Sequence, residues 1–584
     1  MAALTVLAAG CTTPPAPSPP ADIPRTATEA AAIAMPDRHS ADTATRILEA
    51  GGNAVDAAVA SAFTLAVTYP EAGNLGGGGF MLAVVDGEAS FLDYREIAPA
   101  AATRDMYLDA KGEVIAGMSL TGHRAVGVPG TVAGLWEAHR RHGKLSWSTV
   151  VQPAIELAQR GFVVPADLAE YAETEQQERF ASTNFAAHFS GLRSGVTFRQ
   201  PELAAVLERV QRQGADGFYR GVTGDLIVAE MRRGEGLVTH ADLESYRPAW
   251  RAPLRAAWRG RTLLSSPPPS SGGFALLQLL GMKDALGARF EGLARNSTQY
   301  VHLVAEMEKR VFADRAEYAG DPDFVAVPID SLIDPAYIAR RAAEVNPDTI
   351  SVLADVTPGL AESRHTTHFS IVDRWGNAVA NTYTLNTDFG SGVVVTGAGF
   401  LLNNEMDDFS ARPGTPNFYG VVGADANAIE PGKRMLSSMT PTIVLDGDGR
   451  VELVAGSPGG STIITSVFQT IVNVYDFQLT PQQAVNADRF HHQLLPPAEI
   501  TFDPALPAAT LQGLKQRGYD VVPHAWPLGD VQLIVRRGVA LEAASDRRGR
   551  GVSRVITHTP ALSRVSVGSW HAPGDVAKTG RFPD

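Results

Sequence analysis

Apolar residues recur at helical spacing over residues 41–50, where Ala44, Ile47 and Leu48 share a face, and Gly51-Gly52 stops the run. Asn53 then caps a second helix, apolar nearly all round as far as Tyr69, where Pro70 ends it. A helix without a polar face must be buried on all sides, which predicts a large core. From about Thr131 to Val345 helices alternate with loops. The clearest helix starts near Asn296-Ser297 and runs to about Tyr318, and SSPPPSSGG at 265–273 marks a loop. From Thr366 onward the period changes to two. Thr367, Phe369 and Ile371 fall on one face of a strand, and Thr366, His368 and Ser370 on the other. Residues 373–377 read as a turn, and a second strand follows from Ala378 to about Leu385. GVVVTGAGFLL, PTIVLDGDGRVELVAG and VQLIVRRGVALEAAS read as further strands, with helices at 461–475 and 510–518. A helix-rich half followed by a strand-rich half predicts an α+β fold.

Composition narrows the function. The chain has 584 residues, enough for one large elaborated domain or two to three smaller units. Its formal charge of −13 argues against non-specific nucleic-acid binding, which needs a basic field. No run of 18 apolar residues is present, so no membrane-spanning helix is expected. The single cysteine, Cys11, rules out an intrachain disulfide, a cysteine metal cage and a cysteine nucleophile deep in the fold.

Several chemistries lack their motifs. Gly76 to Gly79 precede a strand and lack the G-x-G-x-x-G spacing of a dinucleotide site, and Gly432-Lys433-Arg434 lacks the Ser or Thr of a phosphate loop. There is no H-E-x-x-H, and the serine of GSPGGS at 456–461 is out of frame for a G-x-S-x-G elbow. His491-His492 is a tempting ligand pair, but neighbours on a strand point to opposite faces, so a structural role is expected.

Thr366 remains. A threonine hydroxyl is a weak nucleophile unless a base lies beside it, and one solution makes Thr the first residue of a chain, with its own α-amine as base. An α-amine titrates at about 7.7 to 8.0, suited to that work near neutral pH. Thr366 is internal, so this chemistry requires a cut between His365 and Thr366, which the same hydroxyl can make by attacking the preceding carbonyl. Acyl transfer also needs an oxyanion hole, and the turn at Pro458-Gly459-Gly460 can supply two backbone N–H groups.

TTHFSIVDRWGNAVANTYTLNTDFGSG, GFLLNNEMDDFS, LSSMTPTIV and AGSPGGS follow one another in an order that resembles the γ-glutamyltranspeptidase (glutathione hydrolase) family. The resemblance continues upstream in GGNAVDAAVA, AGNLGGGGFML, DYREIAPAAATRDMY and GVPGTVAGLWEAHRRHG, and covers roughly 41–547. It implies the N-terminal-nucleophile hydrolase fold, an αββα four-layer sandwich. It also implies a precursor that cuts itself into a large subunit, here 26–365, and a small one, 366–584, that stay together as a heterodimer. By the same resemblance Thr366 is the nucleophile, Thr384 a second threonine bonded to it, and Gly459 and Gly460 the oxyanion-hole glycines. Arg95 grips the substrate α-carboxylate with the help of Ser437 and Ser438, and Asn386, Glu405 and Asp408 hold the α-ammonium. ARPGTPNFYGVVG at 411–423 resembles a lid loop whose Tyr419 closes over the site. These assignments make chemical sense: a γ-glutamyl group exposes a carboxylate and an ammonium on one carbon, so an arginine fork is expected on one side and acids on the other.

The resemblance implies an enzyme without a cofactor, acting on glutathione and other γ-glutamyl compounds and passing the acyl group to water, an amino acid or a peptide. The alternatives are a cephalosporin (glutaryl) acylase, whose substrate lacks the ammonium that Asp408 suits, a poly-γ-glutamate-processing enzyme, and an unprocessed non-catalytic envelope protein. MAALTVLAAGC resembles the end of a lipoprotein signal, with Cys11 as the lipidated residue and the Pro-rich remainder of 1–25 as a tether. This leads to the expectation of a bacterial periplasmic or cell-envelope location, with lipid at Cys11 anchoring the chain to the outer membrane. The tail from about Gly549 onward carries no assigned role.

Overall fold

The two predicted strands after Thr366 form the middle of a seven-stranded antiparallel sheet. In spatial order its strands are Val552–Thr557, Ala30–Met35, Thr367–Val372, Ala378–Thr384, Gly78–Val85, Glu88–Asp93 and Ala249–Arg251. The computed structural model describes residues 30–352, 366–415 and 423–557. Cys11 and the 1–25 segment, His365 at the expected cleavage site, Tyr419 of the expected lid and the tail beyond 557 lie outside the described residues.

A six-stranded antiparallel sheet stacks on the first, in the order Ala540–Ser545, Gln532–Arg537, Val451–Gly456, Thr442–Leu445, Arg261–Ser265, Leu254–Trp258. Helices Arg38–Glu49, Ala54–Thr68 and Thr131–His142 cover the outer face of the first sheet. Gly272–Ala285 and Thr462–Tyr475 cover that of the second, with Thr298–Tyr318 packed against Gly272–Ala285. This is the expected αββα sandwich. Its core has two parts: one under the first helix layer, containing Phe63, Phe369 and Ile371, and one running from between the sheets into the second helix layer, containing Phe80, Leu263, Ile443 and Leu453.

The local signals behave as their chemistry requires. Asn53 caps Ala54–Thr68 by accepting from the Asp56 N–H, while Asp56 accepts from the Asn53 N–H, and every residue of that helix is buried. Ser297 caps Thr298–Tyr318. In the hairpin turn Asp373 accepts from the Trp375 and Asn377 N–H groups through Oδ1 and from the Ala54 N–H through Oδ2, which ties the turn to the start of that buried helix. The four glycines serve close packing: a Cβ on Gly76 or Gly77 would lie 2.2 Å from the Leu401 carbonyl oxygen or 2.1 Å from that of Thr384.

Three expectations change. GVVVTGAGFLL forms no strand; Gly392, Gly397 and Gly399 hold φ of 69°, 80° and 70°, and the segment keeps isolated bridges, from Val394 to Leu401 and from Leu402 to Gly76. The strands Leu254–Trp258 and Arg261–Ser265 were not expected in the helical half; Arg255, Arg259 and Arg261 break the apolar alternation there, and the first of the two strands is an edge, where a charged residue such as Arg255 is tolerated. Both sheets therefore contain strands from before and after Thr366, so 26–365 and 366–584 interleave rather than stack as separate halves. The tail from Gly549 begins inside the fold, since Val552–Thr557 forms one edge of the first sheet.

The polar face of Thr367–Val372 points to the second sheet, not to solvent. His368 bonds Thr382 Oγ1 at 2.8 Å and Ser370 Oγ at 3.1 Å, and Ser370 donates to the Gln532 carbonyl. His491 Nδ1 meets Thr465 Oγ1 at 2.9 Å, and His492 Nδ1 meets the Glu499 carbonyl oxygen at 2.6 Å, so the pair is structural. No group suited to holding a metal ion occurs among the described residues.

Burial lowers His368 and His491 to about 3 and His492 to about 4. As pH falls below about 6.5 the unfolded chain takes up these protons and the folded chain does not, so each histidine withdraws stability, at about 1.4 kcal/mol per pH unit. Buried acids raised towards neutrality, such as Glu96 and Asp530, both at about 8, act with the opposite sign over the same window. The prediction is therefore differential: between pH 6.5 and 5, a His491→Gln chain should lose stability less steeply than its parent in denaturant titrations. Parallel pH profiles would show that His491 is not held neutral.

Candidate active site

Strand register builds the first half of the site. Tyr383 pairs with Thr367, so Thr384 comes to lie beside Thr366 one rung further along the hairpin. Thr366 is 7% exposed. The Thr384 hydroxyl accepts the Asn386 N–H at 2.8 Å, which stabilises Asn386 at φ 81°, a left-handed conformation that asparagine tolerates better than most residues. Asn386 Nδ2 donates to the Asn404 carbonyl at 3.0 Å, drawing in the NNEMDDFS segment.

The second sheet supplies the turn. Strand Val451–Gly456 leads through Ser457-Pro458-Gly459-Gly460 into helix Thr462–Tyr475. Gly459 has φ 128° and Gly460 φ 57°, and a Cβ on Gly459 would lie 2.4 Å from Thr462 Oγ1. Thr462 fixes the turn by donating its hydroxyl to the Gly459 carbonyl at 2.7 Å. The glycines thus sit at a helix N-terminus, where partial positive charge accumulates.

Arg95 follows the strand Glu88–Asp93 and is 1% exposed. Its guanidinium donates to the Leu436 carbonyl at 3.1 Å, next to Ser437 and Ser438. It lies 2.6 Å from Glu405 and 2.5 Å from Asp408, both on the one-turn helix Glu405–Asp408, and 3.8 Å from Glu96. The cation and the acids are therefore in contact, not on opposite sides as expected from sequence, because a buried guanidinium requires counter-charge. Burial pushes Glu405 well above the usual carboxylate range and Glu96 up to about 8, against the pull of Arg95, and it raises Asp408 in the same way.

Arg95, Thr366, Thr384, Asn386, Glu405, Asp408, Ser437, Ser438 and Gly460 all line one chamber. Gly459 belongs to the same turn but faces a second chamber, which Thr366 also lines. Two charged residues at the site, one beside Arg95 and one in the chamber wall, were not anticipated. Glu96 adjoins Arg95 in DYRE, and that adjacency was the available signal. Arg315 lines the chamber from the last turn of Thr298–Tyr318 and donates to Ser438 Oγ at 3.1 Å and Ser271 Oγ at 3.0 Å. Nothing local marks Arg315; only the packing of that helix brings it to the serines.

A model of the Gamma-glutamyltranspeptidase family matches residues 40–556, somewhat further than the resemblance read from motifs. The glutathione hydrolase proenzyme of Pseudomonas aeruginosa is 59% identical over 527 residues, covering 90% of this chain and 94% of that protein. Among solved structures, Gamma-glutamyltranspeptidase from Pseudomonas nitroreducens complexed with L-DON is 56% identical, with a TM-score of 0.55 over 55% of this chain and 96% of that one. Cephalosporin acylase from Bacillus halodurans is 26% identical, with a TM-score of 0.79 over 93% of this chain and 98% of that one.

Proposed function

The chain belongs to the gamma-glutamyltranspeptidase family, and from that membership and the chamber beside Thr366 we propose a self-processing γ-glutamyl hydrolase and transferase. One observation carries the reading: a buried arginine and two acids share a chamber with a threonine that immediately precedes a strand. The α-carboxylate and α-ammonium of a γ-glutamyl group form a zwitterion. Such a group can exchange into the Arg95–Asp408–Glu405 cluster, its carboxylate on Arg95 and its ammonium on the acids, without changing the cluster's charge.

In this proposal Thr366 cuts the chain after His365 and is left with a free α-amine. That amine takes the hydroxyl proton as Oγ attacks the γ-carbonyl; a C–O bond forms, the C–N bond breaks, and the proton leaves with the departing amine. The Gly459-Gly460 turn faces the developing oxyanion with backbone N–H groups. Thr384 positions the nucleophile, while Ser437, Ser438 and Asn386 complete the grip on the α-substituents. Water or an amine then takes the acyl group. Glutathione and related γ-glutamyl compounds fit as donors. The acids beside Arg95 argue against the glutaryl acylase alternative, because a glutaryl group has no ammonium for them to bind. The envelope location and lipid at Cys11 belong to the same proposal; among the described residues, no helix is long and apolar enough to cross a membrane.

Intact mass and N-terminal sequencing of the purified protein test it. Two chains are expected, the smaller beginning Thr366-Thr367-His368, in a preparation that hydrolyses a γ-glutamyl anilide. An uncut chain that is nevertheless active would contradict the mechanism.

A further inference from the structure

The loop at 265–273 has a partner in the active site. It holds Ser437 in place: the Ser437 N–H donates to the Pro269 carbonyl at 2.9 Å, and the Ser437 carbonyl accepts the Ser271 N–H and the Ser271 hydroxyl, both at 2.8 Å. Ser271 is fully buried and lies outside the chamber lining. Its Oγ accepts the Arg315 Nε–H at 3.0 Å, while the same guanidinium donates through Nη2 to Ser438 Oγ at 3.1 Å. Arg315 is 5% exposed, and these two serines, one outside the chamber and one lining it, fix the direction of its fork.

A serine hydroxyl has one proton and two lone pairs, and a guanidinium only donates. Ser438 Oγ therefore receives a proton from Arg315, and its own proton must point away from the arginine. Ser437 is wired in the same way, with its Oγ accepting the Met439 N–H at 3.1 Å. Among the described residues, neither hydroxyl gives its own proton to a protein acceptor. Ser271 shows the contrast: it too accepts from Arg315, but its proton goes to the Ser437 carbonyl. Both chamber serines are thus set as donors beside Arg95, and the group that can take two hydroxyl protons there is an anion such as a carboxylate.

We propose that Arg315 is a positioning residue for donor selection: by donating to Ser438 Oγ it turns that hydroxyl's proton into the chamber, where a substrate α-carboxylate accepts it. The inference rests on the γ-glutamyl reading above and deepens it, because it names what makes the serine pair favour donors that carry an α-carboxylate. Arg315 acts through the direction of one proton and need not touch the substrate itself. With methionine at this position the Ser438 hydroxyl has no fixed donor beside it. It then turns about its Cβ–Oγ bond and offers its proton to the carboxylate only part of the time.

The test uses the processed enzyme and two donors, a γ-glutamyl anilide and the matching 4-aminobutyryl anilide, which differ only in the α-carboxylate. The readout is the ratio of their kcat/KM values, which cancels any general loosening of the chamber. A hydrogen bond to a charged group contributes about 10- to 100-fold. Arg315→Met should therefore lower the ratio by about tenfold or more. On a Ser438→Ala background the same substitution should change the ratio by less than about threefold, since the arginine acts through that hydroxyl. A smaller fall in Arg315→Met overturns the proposal. So does an equal fall on both backgrounds, which would make Arg315 a distant charge rather than an orienting group. Where Arg315→Met gives no folded, processed enzyme, Ser271→Ala removes the partner of Nε and should lower the ratio by about threefold or more, again only with Ser438 present; a smaller change overturns the proposal. A parent that releases no anilide from the γ-glutamyl donor overturns the γ-glutamyl reading itself, and this inference with it.

Discussion

A Thr366→Ala chain is expected to remain one uncut polypeptide and to lose γ-glutamyl anilide hydrolysis by a factor on the order of 10⁴ or more, the scale seen when a covalent nucleophile is removed. Both losses have one cause. In the proposed mechanism the hydroxyl that attacks the carbonyl before Thr366 is the hydroxyl that later attacks substrate, and alanine has none. The substitution removes one hydroxyl and one methyl at the head of a strand whose hydrogen bonds to Ala378–Thr384 come from backbone groups, so the sandwich should persist. Circular dichroism and a thermal melt close to those of the parent would establish that. Thr366→Ser keeps the hydroxyl and should still process. Denaturing electrophoresis and intact mass give the readout. A Thr366→Ala chain that still appeared as two pieces would place the cutting nucleophile elsewhere, and an uncut but active one would separate catalysis from processing.

Arg95→Met should have the next largest effect. The guanidinium lies against the buried Glu405 and Glu96 and the part-buried Asp408, and its removal takes away the cation that these three acids share. Breaking a buried pair from one side costs about 3–5 kcal/mol, part of which the acids can avoid by taking up protons, as their raised pKa values already favour. In the proposed binding mode the substrate carboxylate also loses its partner. Hydrolysis of the anilide should fall by about 10³-fold or more in kcat/KM, and the denaturation midpoint should drop. Arg95→Lys keeps the charge but not the two-pronged geometry, so it should recover more stability than activity. A kcat/KM within tenfold of the parent for Arg95→Met, measured on folded protein, would remove Arg95 from substrate recognition.

Much of this molecule could be read from its residues because the relevant signals are local. Asn53 and Ser297 announce helix starts through side chains that bond the nearest free N–H groups. The alternation over 366–372 and the turn at Asp373 specify a hairpin, and the hairpin alone places Thr384 beside Thr366. Positive φ at Gly459 and Gly460 follows from the one residue type that adopts it without strain. The same logic misled at GVVVTGAGFLL, where apolar residues suggested a strand and the glycines among them turned the chain instead.

What the sequence by itself determined, then, is most of the elements, and it singled out Thr366 as the proposed nucleophile together with the chemistry of its proposed partners, since each depends on neighbours a few residues away or on motifs kept in order. Tertiary structure alone decided three matters. It placed strands from both sides of Thr366 in both sheets, because edge strands such as Leu254–Trp258 are selected by pairing rather than by their own pattern. It set Arg95 against Glu405 and Asp408 instead of across a gap from them, because a buried charge must be balanced where it lies. And it brought Glu71 and Arg550, from opposite ends of the chain, to the far side of Thr366, a contact between residues 479 positions apart that no periodicity or spacing encodes.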